Sequence, residues 1–125
     1  MKPLVILFFS LIFLSCQEPE ENPKMITAKS PVTSIVDVTR TGTIVTAWVW
    51  ASWLNGCGRY SHYEMFSADS VRFITVYGQQ PEGAVCTQGF IRYLTGISIP
   101  NLPTGSYTFR FWQSDSTTVD TLFTL

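Results

Sequence analysis

Residues 32–125 are dominated by side chains that favour an extended backbone. Of these 94 residues, 44 are Val, Ile, Thr, Phe, Tyr or Trp, the types that fit the pleated, half-buried surface of a β-sheet. Gly and Pro fall between the apolar runs, where strands would end. No stretch shows an apolar period of 3.6 residues with helix caps. The sequence therefore predicts an all-β domain.

Individual runs alternate with a period of two, as half-buried strands do. In the stretch SYTFRFW, the side chains of Tyr107, Phe109 and Phe111 share one face and are predicted to lie in the core. The predicted strands are 32–39, 43–53, 60–66, 70–77, 86–94, 96–100, 106–113 and 117–125. Seven or eight short strands in one domain of this size predict a β-sandwich.

The stretch LPTGSY contains an L-x-x-G-x-Y pattern formed by Leu102, Gly105 and Tyr107. This pattern resembles the tyrosine corner of immunoglobulin-like and fibronectin type III sandwiches. The resemblance implies an immunoglobulin-like β-sandwich of about seven strands, with the Tyr107 hydroxyl bonded to the backbone of the preceding crossover. The alternative is an ordinary turn followed by a core tyrosine.

The N-terminus has the organisation of an export signal. Lys2 is followed by an apolar run over 4–14 that only Ser10 interrupts. A helix of this length rises about 16 Å, roughly half the hydrocarbon thickness of a bilayer. We therefore expect a signal peptide rather than a transmembrane span.

The end of this run, Phe13, Leu14, Ser15 and Cys16, resembles the lipobox of bacterial lipoproteins, in the relaxed form typical of Bacteroidota. Phe13 stands where leucine is usual. The resemblance implies a signal peptide over 1–15, diacylglycerol on the Cys16 thiol and cleavage before that residue. The alternative is an ordinary cysteine that is removed with the signal.

Residues 16–30 are predicted to be the lipidated cysteine and a flexible tether that precede a domain over 31–125. Gln17 follows the cysteine in place of the aspartate that retains many lipoproteins at the inner membrane. Glu18, Glu20 and Glu21 resemble the surface-export signals of Bacteroidota lipoproteins, although a plain solvated tether would also carry such charges. We expect a lipid-anchored protein of the outer membrane, and exposure at the cell surface and exposure to the periplasm are the two alternatives.

Of the three cysteines, Cys57 and Cys86 are left once Cys16 is assigned to the lipid. An exported protein passes through an oxidising compartment, in which two cysteines can form a disulfide. Neither is accompanied by the second cysteine or histidine that a zinc site would need. A disulfide is predicted, and the alternative is two buried free thiols.

The sequence contains little that would support catalysis or nucleic-acid binding. His62 is the only histidine, and it is interpreted as a surface strand residue. The acidic residues show no motif spacing, and no metal site or cofactor is expected. A net charge of −1 gives no electrostatic basis for binding phosphate backbones. We predict a protein that is not an enzyme.

The stretch WVWASW contains the strongest candidate for a binding residue. On a strand, Trp48 and Trp50 share one face, while Val49, Ala51 and Trp53 lie on the opposite, apolar one. Two indoles on an outer face would form a stacking platform for a sugar, a peptide or another domain. The alternative is that both indoles lie in the core or at its edge.

Arg110 and Trp112 share a predicted outward face on another strand, and they are assigned to the same binding face as Trp48 and Trp50. Arg and Trp are enriched at the centres of interfaces, although arginines also protect sheet edges. The predicted function is a non-catalytic binding or structural module with a glycan or protein partner. One alternative is a carbohydrate-binding surface lipoprotein, and another is a protease inhibitor acting through a loop over 77–89.

Overall fold

The computed structural model describes residues 24–125, in which all regular structure is β-strand. The eight strands form a five-stranded and a three-stranded sheet, which confirms the prediction of an all-β sandwich. Nothing in this part of the chain is a helix long and apolar enough to cross a membrane. The predicted signal peptide and Cys16 lie outside the described residues. The strands are β1 (Met25–Lys29), β2 (Val32–Thr41), β3 (Ile44–Asn55), β4 (Arg59–Ala68), β5 (Val71–Pro81), β6 (Gln88–Pro100), β7 (Ser106–Trp112) and β8 (Thr118–Thr124).

Each sheet is built around one central strand. In the three-stranded sheet β3 lies between β2 and β6, and both pairings are antiparallel. In the five-stranded sheet β4 pairs with one edge of β5 along its length. The other edge of β5 is shared by β1, which is antiparallel to it, and by β7, which is parallel to it. β8 completes this sheet beside β7.

The core lies between the two sheets and is formed by alternate side chains of their inner faces. β3 and β6 contribute one wall and β5 and β7 the other. Burial of apolar area on this scale is the dominant favourable term in folding. The fully or almost fully buried apolar residues are Val32, Val45, Ala47, Val49, Ala51, Trp53, Ile74, Val76, Ile97, Ile99, Tyr107, Phe109 and Phe111.

The set of strands differs from the prediction in two respects. The predicted tether over 16–30 includes β1, so the folded part of the chain extends further towards the N-terminus than residue 31. β1 was missed because only Met25 is even partly buried, and the strand is held mainly by main-chain pairing with β5. The predicted strands 86–94 and 96–100 are one continuous strand, β6, because Gly96 stays in register opposite Trp48.

Candidate binding face

The outer face of the three-stranded sheet carries both tryptophans of the WVWASW stretch. Val45, Ala47, Val49 and Ala51 are buried on the inner side of β3. Alternation along the strand therefore turns the indoles of Trp48 and Trp50 outwards, as the predicted register requires. Trp48 is 41% exposed and Trp50 is half-buried. Neither indole therefore lies in the core, which was the alternative to the predicted outward position.

Trp48 lies across the neighbouring strand because that strand has no side chain at the facing position. Its cross-strand partner is Gly96 on β6. A Cβ atom added there would come within 3.1 Å of Cη2 and 3.2 Å of Cζ3 of the Trp48 ring. The six-membered ring thus lies against the β6 backbone, and Trp48 is still 41% exposed.

Trp50 is flanked by side chains that β6 supplies. The Arg92 guanidinium carbon lies 5.5 Å from the centroid of the Trp50 ring, within cation–π range. Leu94 pairs directly with Trp50 and is 48% exposed. Arg92 therefore holds a charged group beside the indole, and Leu94 extends the apolar surface between the two strands.

Polar groups border these two indoles. Asp37 on β2 pairs with Trp48, and one of its carboxylate oxygens accepts a hydrogen bond from the Val38 N–H at 2.8 Å. Thr46 and Ser98 place their hydroxyl oxygens 3.4 Å apart at the adjoining cross-strand pair. An apolar centre with a polar rim is the usual anatomy of a binding surface. We call this surface the tryptophan face, and it comprises Asp37, Thr46, Trp48, Trp50, Arg92, Leu94 and Ser98.

Arg110 and Trp112 do not belong to the tryptophan face, and the prediction of one shared face is wrong. Both lie on β7, in the five-stranded sheet, on the side opposite buried Phe109 and Phe111. Since the core separates the two sheets, their outer faces point in opposite directions. Local alternation showed that each pair faced outwards but carried no information about sheet membership.

The outer face of the five-stranded sheet has an aromatic surface of its own. The rings of Phe66 and Phe73 stack with centroids 4.5 Å apart. The Arg110 guanidinium lies 5.5 Å from the Phe73 ring and makes an ion pair with Asp120 at 3.0 Å. Phe66, Phe73, Arg110 and Trp112 line a cavity of about 300 Å³. Arg110 is paired with Asp120, whereas the Lys29 ammonium at the same cavity lies 5.0 Å from the centroid of the Trp112 ring.

Cys57 and Cys86 form a disulfide, as predicted. It joins the turn between β3 and β4 to the connection between β5 and β6. A hydrogen bond from the Gly56 N–H to the Thr87 carbonyl, 2.9 Å long, supports the same junction. β5 extends to Pro81 and β6 begins at Gln88. The long loop assumed for the inhibitor hypothesis is therefore only residues 82–87, tied down at both ends.

The Tyr107 hydroxyl donates a hydrogen bond to the Pro103 carbonyl at 2.6 Å. This is the backbone contact that the resemblance to a tyrosine corner implied. Gly105 has a φ of +151°, and its N–H and carbonyl exchange hydrogen bonds with Leu125. Leu102 packs against the core. The three residues of the pattern thus shape the entry into β7.

The titratable groups of the described part do not form a catalytic constellation. His62 stacks on Tyr77 with ring centroids 4.6 Å apart on an exposed strand. The Tyr77 hydroxyl donates a hydrogen bond to Glu64, which raises the pKa of Tyr77. Burial raises the pKa of both Tyr60 and Tyr93. Within residues 24–125, no three His, Cys, Asp or Glu side chains lie close enough together to hold a metal ion.

From the sequence we did not assign three members of the tryptophan face, Asp37, Arg92 and Leu94, or the glycine beneath it, Gly96. The alternation in FIRYLTGIS places Arg92, Leu94 and Gly96 on one side of β6, which was a usable signal. The two-residue turn at Gly42 and Thr43 is a local signal that β2 pairs with β3, but nothing in the local pattern indicated that β6 flanks the other edge of β3. That neighbourhood exists only in the folded sheet.

The two sheets and the tryptophan face define a disulfide-bonded β-sandwich with an aromatic outer surface. Residues 47–124, more than half of the chain, match the family model described as the ORF11 beta-sandwich domain. The chain belongs to this family. The match begins at Ala47 and so includes both tryptophans of the face. No curated protein and no solved structure matches the chain.

Proposed function

We propose that this protein is a lipid-anchored module of the outer membrane that binds a partner without catalysis, through the tryptophan face. The observation that carries this proposal is the position of Trp48, which lies against Gly96 with 41% of its surface exposed. An exposed indole lowers the solubility of a protein, and exposed apolar patches mark interaction sites. The lipobox-like stretch ending at Cys16 supports the anchoring.

The ligand class favoured by this face is carbohydrate. Trp48 and Trp50 are two residues apart on one strand, so their Cα atoms are about 6.7 Å apart. The flat indole surfaces suit the apolar faces of sugar rings, and the hydroxyls of a sugar need polar partners beside them. Asp37, Arg92 and Ser98 supply acceptors and donors at the rim. An open face of this kind suits an extended glycan better than a small enclosed ligand.

Two other functions have less support. A protease inhibitor would present an extended loop, whereas residues 82–87 are short and fixed by the disulfide. An enzyme would need converging acid and base groups, and His62 and Glu64 lie on an exposed strand. A purely structural accessory remains the rival, and it differs from a binding module in having no soluble ligand.

Anchoring is tested by metabolic labelling of the full chain with palmitate in a bacterial host, followed by intact-mass measurement. We expect label on the wild-type chain, a mass that corresponds to an acylated Cys16 N-terminus, and no label on a Cys16→Ala variant. Mature wild-type chain without acyl mass would contradict the anchoring.

Binding is tested with the full chain in a non-glycosidic detergent, titrated with a panel of soluble glycans while tryptophan emission is recorded. Trp48→Ala is expected to weaken binding about tenfold or more, since central aromatic anchors are worth more than about 1.4 kcal/mol. Trp112→Ala, on the opposite sheet, is the matched control and should bind normally. Equal losses in both variants, or no emission change across the panel, would rule out this site.

A further inference from the structure

Three exposed apolar side chains at one end of the sandwich are used neither by the core nor by the tryptophan face. Leu54 is 59% exposed, Phe90 is 84% exposed, and the Val85 side chain is fully exposed. Single apolar side chains on a surface are ordinary, but several together mark a contact surface. We call these three residues the apolar end.

The three residues are held close together by the junction that the disulfide closes. Leu54 and Phe90 line one shallow cavity of about 190 Å³. Val85 lies next to Cys86, and its carbonyl faces the Cys57 sulfur at 3.8 Å. The disulfide therefore fixes the backbone that carries these exposed side chains.

The chain enters the fold at this same end. The Glu82 N–H donates a hydrogen bond to the Lys24 carbonyl at 2.7 Å, and Met25 pairs with Pro81 at the end of β5. Lys24 is the eighth residue after Cys16, and a fully extended chain over these eight steps spans at most about 28 Å. A lipid on Cys16 would therefore keep Lys24, at the end of the sandwich where the chain enters the fold, within about 28 Å of the bilayer.

Two cations flank the apolar end within the described residues, whereas Glu18, Glu20 and Glu21 of the preceding segment add negative charge. Lys24 and Arg59 are exposed there, Arg59 pairing with Gln79 near the end of β5. Glu82 is the carboxylate on the adjoining loop. Cations beside apolar side chains are favourable where anionic lipid headgroups meet the acyl region.

We propose that Leu54, Val85 and Phe90 contact the bilayer that holds the lipid of Cys16, as a second attachment that fixes the orientation of the domain. This inference rests on the proposed anchoring. Three side chains would hold a free protein only weakly, but the lipid keeps them at a high effective concentration beside the membrane. The strands then stand upright on the bilayer, and the tryptophan face opens sideways.

The test uses the full, lipidated chain in vesicles of phosphatidylethanolamine and phosphatidylglycerol, with p-benzoylphenylalanine in place of Phe90. Illumination is expected to yield lipid adducts that are visible by mass. The matched control carries the same photoreactive residue in place of Leu122, which is 81% exposed. Leu122 pairs with Thr108, and Thr108 with Val71, at the opposite end of β5.

Lipid adducts at position 90 with none above background at position 122 would support the inference. Equal yields at the two positions, no adduct at position 90, or cross-linking of position 90 to protein instead of lipid would overturn it. The same spectra report the acyl groups on Cys16. An acylated chain without adducts refutes the membrane contact alone, whereas a chain without acyl groups refutes the anchoring and the membrane contact with it.

Discussion

At the scale of single residues, the tryptophans of β3 have different roles although they are close in sequence. Trp53 is 3% exposed and packs against Gly58 and Gly78, and its indole N–H donates a hydrogen bond to the Gln80 side chain at 2.7 Å. Trp48 lies against a glycine too, but on the solvent side. Side chains alternate between the two faces of a strand. Trp53 therefore points into the core and stabilises the fold, whereas Trp48 points outwards, where a ligand can reach it.

Replacing each of the two glycines beneath these indoles with alanine should change the stability of the fold by different amounts. A Cβ atom at Gly78 would lie 2.6 Å from two Trp53 ring atoms, and that ring is held by its hydrogen bond. Gly78→Ala should therefore reduce the free energy of unfolding by about 1–3 kcal/mol. Gly96→Ala should change it by less than about 1 kcal/mol, because the exposed Trp48 ring is able to shift.

Urea unfolding of the two variants measures this difference. In the glycan titration, Gly96→Ala should also weaken binding, because the displaced indole no longer lies against β6. Equal stability losses for the two variants would contradict the packing described for Trp53.

At the scale of elements, connections and pairings decide where each strand begins and ends. Ser30, between β1 and β2, is fully buried, donates a hydrogen bond from its hydroxyl to the Ser52 carbonyl at 2.6 Å, and accepts one from the Tyr93 hydroxyl at 2.7 Å. Its N–H bonds to the Val76 carbonyl of the other sheet. One short connection thus joins both sheets, which a tether without structure would not do.

The connection before β7 predicts a measurable cost for removing one hydroxyl. Tyr107→Phe deletes the hydrogen bond to Pro103 but keeps the ring, which packs 4.7 Å from the Arg72 guanidinium carbon. The free energy of unfolding should fall by about 1 kcal/mol or more, because the carbonyl loses its partner in a partly buried site.

Thermal unfolding of Tyr107→Phe against wild type checks this prediction. Tyr77→Phe is the control, because its hydroxyl bonds to Glu64 at the exposed surface and its loss should shift the melting temperature less than Tyr107→Phe does. An unchanged melting temperature for Tyr107→Phe would mean that the hydroxyl contributes nothing to the turn.

The sequence predicted the elements more reliably than their neighbours. Seven of the eight strands were predicted from runs of β-forming residues, although β6 was divided in two at Thr95. β1 was not anticipated because its stability comes from main-chain pairing with β5, which leaves no alternation to detect. The parallel pairing of β7 with β5 likewise has no local signature.

At the scale of the whole molecule, the two sheets are joined by the core, by Ser30 and by the Cys57–Cys86 disulfide. On the chain-entropy estimate, a crosslink that closes a loop of this length contributes about 3–4 kcal/mol. That is a large share of the stability expected for a domain of this size. The disulfide also holds the end of the domain at which the chain enters the fold.

Two half-buried tyrosines lead us to expect that the molecule loses stability at alkaline pH. Burial raises the pKa of Tyr60 and Tyr93 in the folded state, whereas in the unfolded chain it is about 10. Above that pH the unfolded state loses its protons first, so ionisation favours unfolding. The free energy of unfolding should therefore be unaffected by these groups below about pH 9 and fall as the pH rises through 10.

Urea midpoints measured at several pH values from neutral to strongly alkaline check this dependence. Tyr93→Phe should be less stable at neutral pH, because Ser30 loses a hydrogen-bond partner, but should show a shallower decline at high pH. A decline as steep as that of the wild type would exclude Tyr93 as a cause.

The amino-acid sequence was enough to predict which side chains of each strand face inwards, because alternation is a property of the local backbone and needs no knowledge of neighbours. It therefore predicted the core of β3 and β7 and the outward position of Trp48, Trp50, Arg110 and Trp112. The folded structure was needed to show that the first two share a face with Arg92 and Gly96 while the last two lie on the opposite sheet. The reason is that sheet membership depends on pairings between residues far apart in the chain, and no local pattern encodes them.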